Sequence, residues 1–82
     1  MKIYNYKGKL NICGQRVREA RKDLKLSQKE LAAKLQVENI LLEQKAISRI
    51  ERGERVVTDY ELLHLARILK VDPKWLLEEI QT

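Results

Sequence analysis

Two short amphipathic segments constrain this chain more than anything else in it: Leu26-Ser27-Gln28-Lys29-Glu30-Leu31-Ala32 and Ala46-Ile47-Ser48-Arg49-Ile50-Glu51-Arg52-Gly53. In the first, the Ser27 hydroxyl can cap the free amides of a helix start while Glu30 reaches back, a reciprocal capping box. Leu31 and Leu35 then supply a buried face, and Ala32 and Ala33 let a neighbour approach closely. In the second, Ile47 and Ile50 form an inward pair, and a rotation of about 100° per residue puts Lys45, Ser48, Arg49 and Arg52 on the other side. Gly53 can adopt the left-handed conformation that closes a helix. The pattern predicts two short helices, the second with a cationic outward face.

Three more helices follow from the same signals. Val17, Ala20, Arg21 and Leu24 recur at spacings of three and four, predicting a helix from about Cys13 to Leu24 with Arg16, Arg18 and Lys22 largely toward solvent. Thr58 with Glu61 is a second capping box, opening a helix through Leu62, Leu65, Ala66 and Leu69. Asp72 can cap a fifth helix with Pro73 at its first position, where a missing amide costs nothing, and with Trp75, Leu76 and Ile80 offering apolar surface. Five helices with short connections and no strand pattern make an all-α domain. Residues 1–11 are polar, with Lys2, Lys7, Lys9 and Gly8, and read as an amino-terminal arm ahead of a domain at 12–82. Such an arm is either disordered or tracks a polyanion backbone, and Ile3, Tyr4 and Tyr6 would also permit a short strand.

The chain of 82 residues has room for one modest core, which leaves function to its surface. Residues 1–57 hold 14 Lys/Arg against 7 Asp/Glu, and residues 58–82 hold 3 against 5. A basic block beside a mildly acidic one suits a polyanion partner for the first three helices and a core or protein partner for the last two. Cys13 is the only cysteine and His64 the only histidine, so neither a disulfide nor a metal-ligand set is expected. No cofactor is implied, and no nucleophile, base and orienting group occur together, so an enzyme is not expected. The lone cysteine, the lack of a signal-peptide pattern and the lack of an apolar run of about 18 residues predict a cytoplasmic protein with no membrane contact.

With these residues in place, the chain resembles the lambda-repressor and Cro (XRE-type) family of helix-turn-helix regulators, from about Cys13 to Leu77. The likeness is specific in the Ile-Ser-Arg-Ile-Glu run of the third helix and in Gly53. It implies a five-helix DNA-binding domain in which helices 2 and 3 form the helix-turn-helix. Base reading then falls to Gln44, Lys45, Ser48 and Arg49, residue types that pair with adenine or guanine edges in a major groove. Gln28 is implied as a phosphate contact at the start of helix 2, with Arg52, Arg55 and Arg16 as weaker phosphate candidates. The resemblance also implies a structural ion pair between Arg21 and Glu51.

The chain departs from that family in one place above all. Nine residues separate Val37 from Ile47 where the family pattern has about four, so the turn is lengthened by Glu38 to Leu42 or a neighbouring set. Two arrangements are open: a longer turn tucking Ile40 and Leu42 into the core with helix 3 starting near Gln44, or a longer helix 3 capped by Asn39. Ile40, Leu41 and Leu42 fill the core in the favoured reading and form a partner-binding patch in the other.

The function these features imply is a sequence-specific double-stranded DNA-binding transcriptional regulator, acting by repression. The alternative is an antitoxin-like or protein-interaction module on the same fold. One module touches little DNA, which predicts a homodimer on a palindromic operator. Its surface is expected on helices 4 and 5, with Leu76, Leu77 and Ile80 as contacts, Trp75 in the core and His64 exposed.

Overall fold

The computed structural model describes residues 5–79. Five helices run in chain order: α1 (Gly14–Asp23), α2 (Gln28–Val37), α3 (Gln44–Glu51), α4 (Asp59–Leu69) and α5 (Pro73–Leu76). Among the described residues the only β-type pairing is an isolated bridge between Tyr6 and Lys9, so the architecture is all-α. One core gathers Val17 and Ala20 of α1, Leu31 and Leu35 of α2, Ile47 and Ile50 of α3, Leu65, Ala66 and Leu69 of α4, and Leu76 of α5. α3 packs between α1 and α2, while α4 touches α1, α2 and α5.

Both capping boxes form. Ser27 Oγ accepts from the Glu30 amide at 3.0 Å and Glu30 Oε1 from the Ser27 amide at 2.8 Å. Thr58 Oγ1 accepts from the Glu61 amide at 3.3 Å and Glu61 Oε1 from the Thr58 amide at 3.0 Å. The Ser27 bonds hold the Glu30 carboxyl below its usual range. Asp72 caps α5 through the Lys74 amide at 2.8 Å, with Pro73 at the first position.

The first four helices share one closure at their carboxyl ends. At Gly53 (φ +75°), the Gly53 amide donates to Ile50 at 2.9 Å and the Glu54 amide to Arg49 at 2.8 Å. The same pair of bonds closes α1 at Lys25, α2 at Asn39 and α4 at Lys70, all with positive φ. Because α1 stops at Asp23 and the chain reverses at Lys25, Leu24 is exposed and not on the buried face that its spacing predicted.

The lengthened turn adopts the first of its two expected arrangements. α3 begins at Gln44, Leu42 is 2 % exposed and Ile40 packs on the core, so Asn39 ends α2 and does not cap α3. Leu41 is the exception, pointing to solvent. In α5, Leu76 is fully buried, so it is core and cannot be a dimer contact; Leu77 is exposed, and Ile80 lies outside the described residues. His64 is half-buried, not exposed, because its Nδ1 lies 2.5 Å from Glu38 at the end of α2, where Arg67 also approaches to 3.9 Å.

The described part of the segment read as an arm is docked. Tyr6 and Lys9 exchange backbone bonds at 2.7 and 3.0 Å around Lys7 and Gly8, whose positive φ values suit a two-residue turn. The Leu10 amide donates to Gly53 at 2.8 Å, and the Tyr6 hydroxyl donates to Glu79 with Lys7 Nζ 3.4 Å from that carboxylate. Ile3 and Tyr4 lie outside the described residues.

α1 meets α3 closely at Gly14, where an added Cβ would sit 2.2 Å from the Ile50 carbonyl oxygen. That oxygen is backbone and cannot step aside, so Gly14→Ala is expected to cost about 1–3 kcal/mol through overpacking. An unchanged urea unfolding midpoint would show that the two helices separate freely. Next to it, burial pushes the Cys13 thiol up to about 11. Since the thiolate is the reactive form, the folded protein should react with a disulfide reagent at pH 7 at least about tenfold more slowly than the urea-unfolded chain. Equal rates would place Cys13 at the surface.

Candidate nucleic-acid interface

α3 presents two faces of opposite character. Ile47 and Ile50 have no exposure at all and key the helix into the core, while Gln44, Lys45, Arg49 and Arg52 are exposed on the other side with Ser48 half-buried between them. The first two positions after Glu43, Gln44 and Lys45, thus begin a polar arc that continues one turn later at Ser48 and Arg49. Arg52 donates to Ser48 Oγ at 2.9 Å and lies 3.2 Å from Glu54, so it closes the arc at the helix's carboxyl end.

The orientation of that arc is set by one carboxylate. Arg21 reaches from α1 and grips Glu51 with two bonds, Nε to Oε2 at 2.7 Å and Nη2 to Oε1 at 3.0 Å, both partners being buried. Those bonds raise the Arg21 pKa against the desolvation that opposes them. Its remaining nitrogen, Nη1, donates to the Leu26 carbonyl at 2.8 Å in the turn before α2. Gln28, in the first turn of α2, adds a bond from Nε2 to Glu51 Oε1 at 3.1 Å. Asn11 steadies the same carboxyl end of α3 from the amino-terminal side, its Nδ2 donating to Ile50 at 3.1 Å and to Arg55 at 2.8 Å while its Oδ1 caps the Gly14 amide at 2.9 Å.

The expected site residues therefore sort by what holds them. Gln44, Lys45, Ser48 and Arg49 share one exposed arc beside the start of α2, and Arg21 and Glu51 are joined beneath it. Gln28 spends its side-chain amide on Glu51, and the backbone amides of Gln28 and Lys29 lie outside the capping box at the start of α2. Arg55 is drawn to Glu61, 3.1 Å away, and to the Val56 carbonyl at 3.0 Å. Arg16 stacks on Trp75 with its guanidinium 4.7 Å from the ring centre and lies 3.7 Å from Glu19. Each of these arginines is thus engaged within the fold, Arg16 by an aromatic ring and Arg55 by a carboxylate. Asn11 was missed by the sequence reading; a polar residue three positions before a helix start gives little sign that it will bridge to another helix.

Comparison with known proteins places these features in a family. Residues 17–76 match the helix-turn-helix family. A 64-residue stretch is 34 % identical to the HTH-type transcriptional regulator DicA of Escherichia coli (strain K12), covering 78 % of this chain and 44 % of that protein, so the chain spans less than half the length of this relative. Among solved structures, the restriction-modification controller protein C.AhdI from Aeromonas hydrophila superposes with TM-score 0.69 at 36 % identity over 82 % of this chain and 90 % of its own. The P22 c2 repressor, solved in complex with synthetic operator 9T, superposes with TM-score 0.71 at 31 % identity over 85 % and 98 %.

Removing the carboxylate that fixes α3 leaves the Arg21 guanidinium buried and unpaired, so Glu51→Ala is expected to cost about 3–5 kcal/mol. Denaturant unfolding measures it, and stability equal to wild type would mean that Arg21 swings freely into water.

Proposed function

The chain belongs to the helix-turn-helix family, and on that premise we propose that it is a sequence-specific double-stranded DNA-binding transcriptional regulator that lays α3 in the major groove and represses by occupying its operator. The observation that carries this reading is the exposed Gln44, Lys45 and Arg49 arc, backed by two fully buried isoleucines on the far side of the same helix. Buried isoleucines and the Glu51 clamp fix where long polar side chains project, the preorganisation that base reading requires. Gln44 suits adenine, Lys45 and Arg49 the O6 and N7 of guanine, and Ser48 either, once Arg52 has turned to a phosphate. The Arg52 contact with Glu54 is exposed on both sides, a weak pair that a phosphate readily displaces.

Two copies on a palindrome would double the contact, with half-sites about one helical turn apart. Tyr60 and Leu63, three apart on α4, and Leu77 after α5 are exposed apolar side chains suited to such pairing. The single buried cysteine fits a reducing cytoplasm, and no described helix is long and apolar enough to cross a membrane.

Selection from random duplexes should enrich one motif of two related half-sites. On that duplex Arg49→Ala should relax preference at one base pair, losing about 1–3 kcal/mol of discrimination there. Arg52→Ala should weaken specific and random duplexes alike and lower the salt slope by about one. No enrichment at low salt, or the same sequence-independent loss for both variants, would defeat the assignment.

A further inference from the structure

The lengthened turn between α2 and α3 carries a feature that the reading above does not use. Ile40 and Leu42 both turn inward, and the Leu42 amide donates to the Ile40 carbonyl at 3.1 Å, closing a three-residue turn with Leu41 at its apex. Its neighbours are anchored, so Leu41 is a fixed knob, yet 78 % of it lies in water. It stands on a groove of about 440 Å³ whose rim also includes Lys29, Ala33, Gln36, Glu43 and Gln44. Gln44 opens the base-reading arc, so this groove is continuous with the proposed DNA surface.

We propose that Leu41 is a specificity-determining residue, an apolar reader of a thymine methyl group at the edge of the half-site. The proposal rests on α3 entering the major groove. Of the two things DNA could offer Leu41, the backbone is disfavoured: the exposed Glu43 carboxylate on the same rim repels phosphate. The major-groove edge offers the one apolar group that distinguishes a base there, the thymine C5-methyl, and aliphatic side chains contact it directly. Lys29, exposed on the same groove in the first turn of α2, supplies a cation for a neighbouring phosphate. Leucine at the apex therefore gains burial only when the duplex is present, and the rigid turn means that little freedom is lost in gaining it.

The test couples the residue to the methyl. In the duplex that the full chain itself selects, thymines are replaced one at a time by deoxyuridine, which lacks only the methyl group, and binding is measured for wild type, Leu41→Ala and Leu41→Met. Wild type should lose about three- to fivefold at one thymine per half-site, the effect of one buried methyl. Leu41→Ala should bind the thymine duplex with that same loss and show no further loss on deoxyuridine, while Leu41→Met retains the discrimination. Thermal unfolding should be unchanged in both variants, because the side chain is outside the core. If Leu41→Ala is as sensitive to every replacement as wild type, or indifferent to the duplex, the proposal is wrong while the effect of Arg49→Ala leaves the reading of α3 standing. If wild type enriches no sequence, both fall.

Discussion

The Glu51 carboxylate is the junction on which the geometry of this small domain turns. It sits on α3, takes two bonds from Arg21 of α1 and one from Gln28 of α2, and through Arg21 reaches the carbonyl of Leu26 in the connecting turn. Burying an ion pair returns little net stability, because the desolvation of both charges offsets most of their attraction. What it supplies is direction. Apolar contact between Ile47, Ile50 and the leucines around them would hold α3 against the core while allowing it to roll about its axis. A bidentate fork has one favourable orientation, and a roll of a few tens of degrees would break it. The side of α3 opposite the isoleucines is therefore fixed relative to the start of α2, so any ligand meets the two elements as one surface.

The two ends of α3 are treated differently. At the carboxyl end, Asn11, the Gly53 closure and the Leu10 bond to Gly53 take up carbonyls and tie the helix to the amino-terminal segment. At the amino end, Glu43 occupies the cap position with no side-chain bond to the helix. Free amides at a helix start carry partial positive charge. That is the end which the proposed docking sends deepest into the groove, with Gln44 and Lys45 on it, so the uncapped turn and the residues proposed to read bases coincide.

How much of this could be read in advance depended on whether the deciding partner lay nearby in the chain. The capping boxes at Ser27 and Thr58 are local, with both halves visible three residues apart, and both formed. The helix ends at Lys25, Asn39 and Lys70 were not signalled by glycine as Gly53 was; the lysines carry no local preference for positive φ. There the apolar residue that follows, Leu26, Ile40 or Val71, is partly buried, and its packing offsets the backbone cost. The arc on α3 was legible from periodicity, and the Arg21 and Glu51 pairing only through resemblance. The partners of Arg16, Arg55 and His64 were not visible for a common reason. Helical spacing tells which way a side chain leaves its own helix, but not that Trp75, Glu61 or Glu38 will be waiting across the gap.

The lengthened turn shows why the fold tolerates an altered connection between α2 and α3. Closing a loop a few residues longer costs well under about 1 kcal/mol of chain entropy. Here the added chain regains more than that by sending Ile40 and Leu42 into apolar surroundings. The helices it joins keep Leu31, Leu35, Ile47 and Ile50 in one core, and their mutual angle is held by Gln28 and Glu51 at the far end of α2, away from the turn. Turn length and helix geometry are thus decoupled. The family match spans residues 17–76, a range that includes the turn. A connection freed from setting the angle can change its sequence without moving α3, and Leu41, at its outermost point, is where such change alters the surface and leaves the fold untouched.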